Sequence, residues 1–210
     1  MKNHFDIIIV GSGILGAFHA YHAAKLGKKI LLTEKDQYPA QATVRNFGQV
    51  VPSGMGNDWF NYGVRGTEIY NQIQSEFDIS IRNNGSVYIA SDADERQLIH
   101  ELKSTMDSRG YQAQLLTTNQ CLAKWPALKS DYCKEALFFP QEVSGEPEKL
   151  IHQLLKYLTY KFSNLTYAPF TTIIDCFVSG GRVKTINNRQ EEFTAEKVIV
   201  CNGGEFKLLF

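Results

Sequence analysis

The six residues Gly11-Ser12-Gly13-Ile14-Leu15-Gly16 constrain this chain more than any other stretch of it. They follow residues 5–10 (FDIIIV), a β-branched run suited to a parallel strand buried on both faces. They precede an alanine-rich helix over 17–26, stopped by Gly27, and then a second strand over 29–33 that ends at Glu34. At such a strand–helix junction the spacing G-x-G-x-x-G has a physical reason. Gly11 permits the tight turn, Gly13 lets the backbone approach a pyrophosphate, and Gly16 lets helix and strand pack closely. The helix N-terminus offers free N–H groups and a positive dipole end to the phosphates. Glu34, 18 residues beyond Gly16, stands where a carboxylate can accept both ribose hydroxyls. An acid there disfavours a 2′-phosphate, so NADP fits least. This unit reads as a dinucleotide site and leaves FAD and NAD both open. The bland alternative is a glycine-rich turn in a non-binding α/β fold.

Charge excludes other classes. Twenty-two basic residues balance 22 acidic ones, with no Lys/Arg-rich run, so nucleic acid is not an expected partner. Cys121, Cys133, Cys176 and Cys201 form no CxxC pair and read as reduced, mostly buried thiols. His19 and His22 stand three apart on the first helix but lack a third ligand, so no metal is expected. Lys2 ahead of the apolar stretch 5–20 raises a targeting signal. Asp6, three glycines and the lack of a small-residue cleavage site speak against it. No stretch reads as a membrane span, and the expectation is a cytoplasmic protein.

Beyond Glu34 the simple alternation stops. Residues 35–42 read as a loop containing Pro39, followed by Thr43-Val44-Arg45-Asn46-Phe47-Gly48-Gln49. Helices are expected over 58–77, with Tyr62, Ile69, Tyr70 and Ile73 as candidate buried residues, over 92–109 with Asp92 as N-cap, and over 147–162 opened by proline. Strands are expected over 86–90, 112–116, 136–139, 165–168, 171–178, 182–187 and 197–201, with a short helical turn within 122–128. Asn202-Gly203-Gly204 then lets the backbone turn near a ligand.

These segments together resemble a family, the FAD-dependent amine and amino-acid oxidoreductases that include glycine oxidase, sarcosine oxidase and D-amino-acid dehydrogenase. IIIVGSGILGAFHAYHAAKLG is similar to their FAD fingerprint, and TEK at 33–35 to their ribose-binding strand end. RNNGSVYIA, QCLAKWPALK, ALFFPQEVSGEPEKL and AEKVIVCNGG resemble later segments. ATVRNFGQVVPSG resembles a subgroup associated with organophosphonate catabolism. The resemblance implies an α/β fold: a Rossmann-like FAD/NAD(P)-binding domain (a parallel sheet with helices plus a β-meander) with part of an inserted α+β substrate domain. It divides the chain into 1–80 with 144–210 as a discontinuous FAD-binding domain, its C-terminal part missing, and 81–143 as a partial substrate-binding domain.

The resemblance also implies roles. Gly11, Ser12, Gly13, Ile14, Leu15 and Gly16 would line the FAD pyrophosphate, and Glu34 and Lys35 would hold the adenosine ribose. Thr43 and Arg45 would reach the pyrophosphate or ribityl chain, a role that suits Arg45 because a guanidinium pairs with phosphate through two hydrogen bonds. Asn46, Gly48 and Gln49 would pass beside the isoalloxazine ring. Phe170 would border the adenine by its backbone, and Gly203 and Gly204 would approach the cofactor. Arg45 as a surface ion pair, Phe170 as core, and Trp59 and Tyr88 as core rather than substrate contacts are the structural alternatives. No catalytic His, Asp or Glu is singled out.

The implied reaction is oxidation of a primary or secondary amine, an amino acid or aminoalkylphosphonate-type compound. It runs by hydride transfer to flavin N5 and then imine hydrolysis. Electrons pass on to oxygen or to another acceptor. Relatives of this kind are usually much longer than 210 residues. The expectation is therefore an N-terminal fragment with weakened FAD binding, poor turnover and exposed sheet edges. It leaves a homo-oligomer or a complementing C-terminal chain as candidate assemblies. The rival readings are an NAD-dependent dehydrogenase, disfavoured because regular α/β alternation stops after the second strand, and a non-catalytic FAD-binding subunit.

Overall fold

A computed structural model describes residues 3–208. Lys2, weighed above as part of a targeting signal, lies outside the described residues. In chain order the elements are β1 (His4–Val10), α1 (Ile14–Lys25), β2 (Ile30–Thr33), β3 (Gln49–Val50), α2 (Asn57–Glu76) and β4 (Ile81–Arg82). Then come β5 (Ser86–Ala90), α3 (Ala93–Ser108), β6 (Gln114–Thr117), α4 (Thr118–Lys124), β7 (Glu135–Phe139) and β8 (Val143–Gly145). The last are α5 (Pro147–Lys161), β9 (Leu165–Ala168), β10 (Ile173–Ser179), β11 (Arg182–Asn187) and β12 (Glu192–Val200). The chain divides into two compact units, 1–47 with 77–80 and 146–210, and 48–76 with 81–145.

The first unit is built on a six-stranded sheet ordered β10-β11-β12-β1-β2-β9. Its β12-β1-β2-β9 core is parallel, while β10, β11 and β12 form an antiparallel meander. All four residues of β2 are buried, which is why ILLT carries no polar alternation. Phe5, Ile8, Val10, Leu31, Ile173 and Ala195 pack on one another. α1 turns Gly16, Ala17, Ala20, Tyr21, Ala23 and Ala24 inward. α5 buries Leu150, Ile151, Leu154, Leu155, Tyr157 and Leu158 along one stripe, and its Phe162 end meets Tyr21 edge-on at 6.0 Å. Small residues on α1 let that helix lie close to the sheet.

The second unit holds two three-stranded sheets, β3-β8-β4 and β5-β7-β6. Phe60, Ala90, Ile99, Met106, Leu137 and Phe139 form its main core. Residues 48–76, expected from the sequence to belong with the opening unit, group here instead. The cause is pairing: β3 and β4 both bond to β8. These two-residue strands carry too little pattern to be read in advance. Asp92 caps α3 as expected, its carboxylate accepting the Glu95 N–H. α4 opens on an unforeseen reciprocal cap between Thr117 and Gln120. On α2, Ile73 is fully buried, but Tyr62 is 72% exposed and packs beside Trp59 on the surface. The expectation that Tyr62 is core is thereby corrected: the inward stripe runs through Phe60, Gly63, Thr67 and Ile73.

Glu142 lies at the centre of a polar network in this unit and has no exposed surface. Its carboxylate accepts the Ser53 N–H at 2.7 Å, the Ser53 hydroxyl at 3.0 Å, the Tyr111 hydroxyl at 3.2 Å and the Ser86 hydroxyl. Burial, with Glu142 alongside, holds the Tyr111 phenol well above its usual range. Four donors around one buried acid tie the 52–54 turn to β5 and β8.

Candidate functional site

The first unit carries a groove of about 570 Å³ where β1, β2 and β12 end and α1 begins. Parallel strands that end side by side leave such a crevice at their carboxyl edge. Gly11 holds φ at +95°, and its N–H bonds to the Thr33 carbonyl at 3.0 Å. A Cβ on Gly16 would stand 1.9 Å from the Gly11 carbonyl oxygen, so helix and loop touch there as the spacing requires. α1 starts at Gly13 with no side-chain cap of its own. The Ile14 N–H instead donates to the Thr43 hydroxyl at 3.0 Å, reaching across from the next loop. That hydroxyl keeps its own proton to offer, which passes the helix terminus outward as an O–H donor.

Gly11, Gly13, Glu34, Lys35, Thr43, Arg45, Gly203 and Gly204 all line the groove. Ser12, Ile14, Leu15 and Gly16 do not. Ser12 is fully buried and directed to Glu34, Leu15 is 67% exposed, and Gly16 lies under Gly11. Arg45 is exposed and has no ion-pair partner among the described residues. Asn46 turns back on its own loop, its amide donating to the Thr43 carbonyl at 2.5 Å. Gly48 and Gln49 belong to the second unit, in and beside the β3–β8 pairing. Phe170 is 54% exposed with φ +55°, and it is its neighbours Thr171, Thr172 and Ile173 that line the groove. A bulky residue in that backbone region is uncommon and gathers at functional sites. Trp59 is 68% exposed and Tyr88 half-buried, its hydroxyl 3.1 Å from that of Ser53.

Sequence reasoning missed the Pro39–Ala42 wall, Thr171–Ile173, Cys201 and Glu205. Small or apolar residues that contribute backbone carry no chemical signature of their own. The usable signal was topological, since β12 pairs with β1 and must end where Gly11 begins. Glu205 meets Lys35 at 2.5 Å, and this hydrogen bond holds the lysine above its usual pKa.

The donor set fits a dinucleotide. The positive end of α1, the Thr43 hydroxyl and an unpaired guanidinium suit a pyrophosphate. In front of Gly203 and Gly204 a Cβ would meet nothing within 4 Å, leaving space for a ligand along the backbone. Asn202 Oδ1 is buried at the same wall without a hydrogen-bond partner among the described residues. Those residues include no cluster of three metal-ligating groups and no helix long and apolar enough to cross a membrane.

The chain is 22% identical over 207 residues to monomeric sarcosine oxidase of Bacillus sp. strain NS-129, covering 97% of this chain and 52% of that protein. It is 22% identical over 202 residues to N-methyl-L-tryptophan oxidase of Yersinia pestis strain Pestoides F, covering 95% and 53%. Among solved structures, glycine oxidase from Geobacillus kaustophilus superposes with a TM-score of 0.85 at 17% identity, over 99% of this chain and 57% of that one. The chain thus spans about half the length of the curated relatives it matches. The family model described as DAO, FAD dependent oxidoreductase, matches residues 6–210, and the chain belongs to that family.

Proposed function

We propose that the protein oxidises a primary or secondary amine with FAD, its first unit holding the adenosine and pyrophosphate of the cofactor. The observation that carries this reading is the groove at the start of α1, where glycine backbone, the positive end of the helix and Glu34 converge in a chain of an FAD-dependent family. In the proposed complex, the Gly13 backbone N–H and the Thr43 hydroxyl bind phosphate oxygens. Arg45 adds a cation that balances their charge, and Glu34 accepts from the ribose. When bound, FAD supplies the two-electron acceptor for the carbon–hydrogen bond next to nitrogen. The amine leaves as an imine, which water converts to a carbonyl compound and ammonia or a smaller amine. An aminoalkylphosphonate-type amine is the first candidate, supported by ATVRNFGQVVPSG at 42–54; amino acids such as glycine, D-amino acids and sarcosine come next.

The test is spectroscopic. Purified protein reconstituted with FAD is mixed anaerobically with a panel of amines, and the flavin absorbance is followed. Bleaching by an amine supports the reading. A flavin spectrum that no amine bleaches supports a non-catalytic binding subunit, and a colourless protein that binds NADH supports a nicotinamide enzyme.

A further inference from the structure

Glu34 stands where the adenosine ribose would lie, yet most of its carboxylate is already engaged. Oε2 accepts both the Ser12 N–H and the Ser12 hydroxyl, each at 3.0 Å. Oε1 accepts the Asp36 N–H at 3.3 Å. A carboxylate offers about four acceptor positions, so one remains, on Oε1. Ser12 is fully buried, and its backbone N–H points to Glu34, which leaves that N–H unavailable to a phosphate. With its hydroxyl proton committed to Glu34, the Ser12 oxygen is left as an acceptor for the Tyr167 hydroxyl at 3.4 Å. The single Tyr167 proton is shared between that oxygen and the Gln37 carbonyl at 3.2 Å. Burial pushes the Tyr167 phenol up to about 12, so it stays a donor at every working pH. Strand β9 thus reaches through Tyr167 and Ser12 to a residue at the end of β2.

We propose that Ser12, backed by Tyr167, is a positioning residue that fixes the Glu34 carboxylate to accept one hydroxyl of the FAD adenosine ribose, and not both. The proposal rests on the FAD site described above. It gives Ser12 a role apart from the phosphate contact expected of the middle position of G-x-G. Pinned through Oε2, the carboxylate presents a single aimed acceptor; without that bond it would be free to rotate and would favour neither hydroxyl.

The experiment uses the full chain and three ligands: FAD and its analogues with 2′-deoxyadenosine or 3′-deoxyadenosine. Affinities are read from flavin fluorescence quenching for the wild type, Ser12→Ala, Tyr167→Phe, Glu34→Ala and the Ser12→Ala/Glu34→Ala double variant. In the wild type one deoxy analogue should bind about tenfold more weakly than FAD and the other within about twofold, since a hydrogen bond to a charged group is worth about one decade or more. Ser12→Ala should weaken FAD about tenfold and erase the difference between the analogues. In the Glu34→Ala background the same substitution should cost less than about twofold, which a purely structural serine would not obey. Tyr167→Phe leaves the Ser12–Glu34 bond in place, so it should cost about threefold with unchanged circular dichroism; it keeps the idea testable if Ser12→Ala folds poorly. Equal losses with both analogues in the wild type, or a Ser12→Ala penalty undiminished without Glu34, would overturn the proposal while leaving FAD binding intact. Failure of the wild type to bind FAD would instead overturn the underlying site and the proposal with it.

Discussion

Replacing Gly16 by alanine probes the opening motif at its tightest point. The new Cβ would lie 1.9 Å from the Gly11 carbonyl oxygen, 3.0 Å from its carbon and 3.4 Å from the Ile9 side chain. Neither Gly11 atom is the end of a flexible side chain. Ordinary contact begins near 3.4 Å, so loop and helix must part by about 1.5 Å. Three hydrogen bonds resist that: Gly11 N–H to Thr33, Ala17 N–H to Gly13, and Ile14 N–H to the Thr43 hydroxyl. Overpacking of this kind costs about 1–3 kcal/mol, against which the better helix propensity of alanine returns about 1 kcal/mol. The net loss of stability is therefore modest, about 0–2 kcal/mol in urea denaturation. Ligand binding suffers more. A loop displaced by more than an ångström loses about two charge-assisted hydrogen bonds to the pyrophosphate, at about 1.5 kcal/mol each, or roughly a hundredfold in FAD affinity. Calorimetric titration of the wild type and variant reads this directly. A Gly16→Ala protein that binds FAD as tightly as wild type, with an unchanged urea midpoint, would rule out a close approach of helix and loop as the reason for glycine here.

Other consequences follow from single environments. Gly66, inside α2, has nothing within 4 Å of a built Cβ, so Gly66→Ala should raise stability by about 0.5–1 kcal/mol in denaturant titration. Glu142→Gln would aim an amide donor into a ring of donors, and chemical denaturation should show a loss of about 2 kcal/mol. Glu135 is held below the usual carboxylate range by its hydrogen bond from His100, with Arg96 adding to it. A lowered folded value means stability that is present above the unfolded carboxylate pKa and lost as pH falls through the folded one. Glu135→Gln should therefore flatten the acid side of the stability–pH curve by less than about 1 kcal/mol, the pair being near the surface.

The opening β–turn–α–β unit was legible because each of its signals is local. β-branched residues, spaced glycines and a terminal acid fall in order within one short stretch, and the structure reproduces them within a few positions. Strands β5, β9 and β11 were legible for the same reason, being bounded by turn residues such as Asn84-Gly85 and Gly180-Gly181. What escaped depends on partners distant in sequence. β3, β4 and β8 are two or three residues long and exist only through pairing between residues far apart in the chain, as Gln49 with Ser144. The identity of Ser12 suggested a phosphate contact, yet its burial beside Glu34, 22 residues on, gives it another partner. Tyr62 shows the limit of helical periodicity: an aromatic at a plausible spacing faces outward beside Trp59. Groove walls made of backbone, as at Thr171 and Thr172, leave no mark in composition.

If the groove at the start of α1 holds the adenosine diphosphate portion of FAD, ADP alone must occupy it as FAD does. Backbone amide shifts of isotope-labelled protein, recorded during titration with FAD and separately with ADP, show whether it does. Saturable changes shared by both ligands are expected at Gly11, Gly13, Glu34, Lys35, Thr43 and Gly203, while β5 and α3 stay unchanged with ADP. Saturable binding whose changes bypass these residues, or no binding of either ligand, would contradict a cofactor site in this groove.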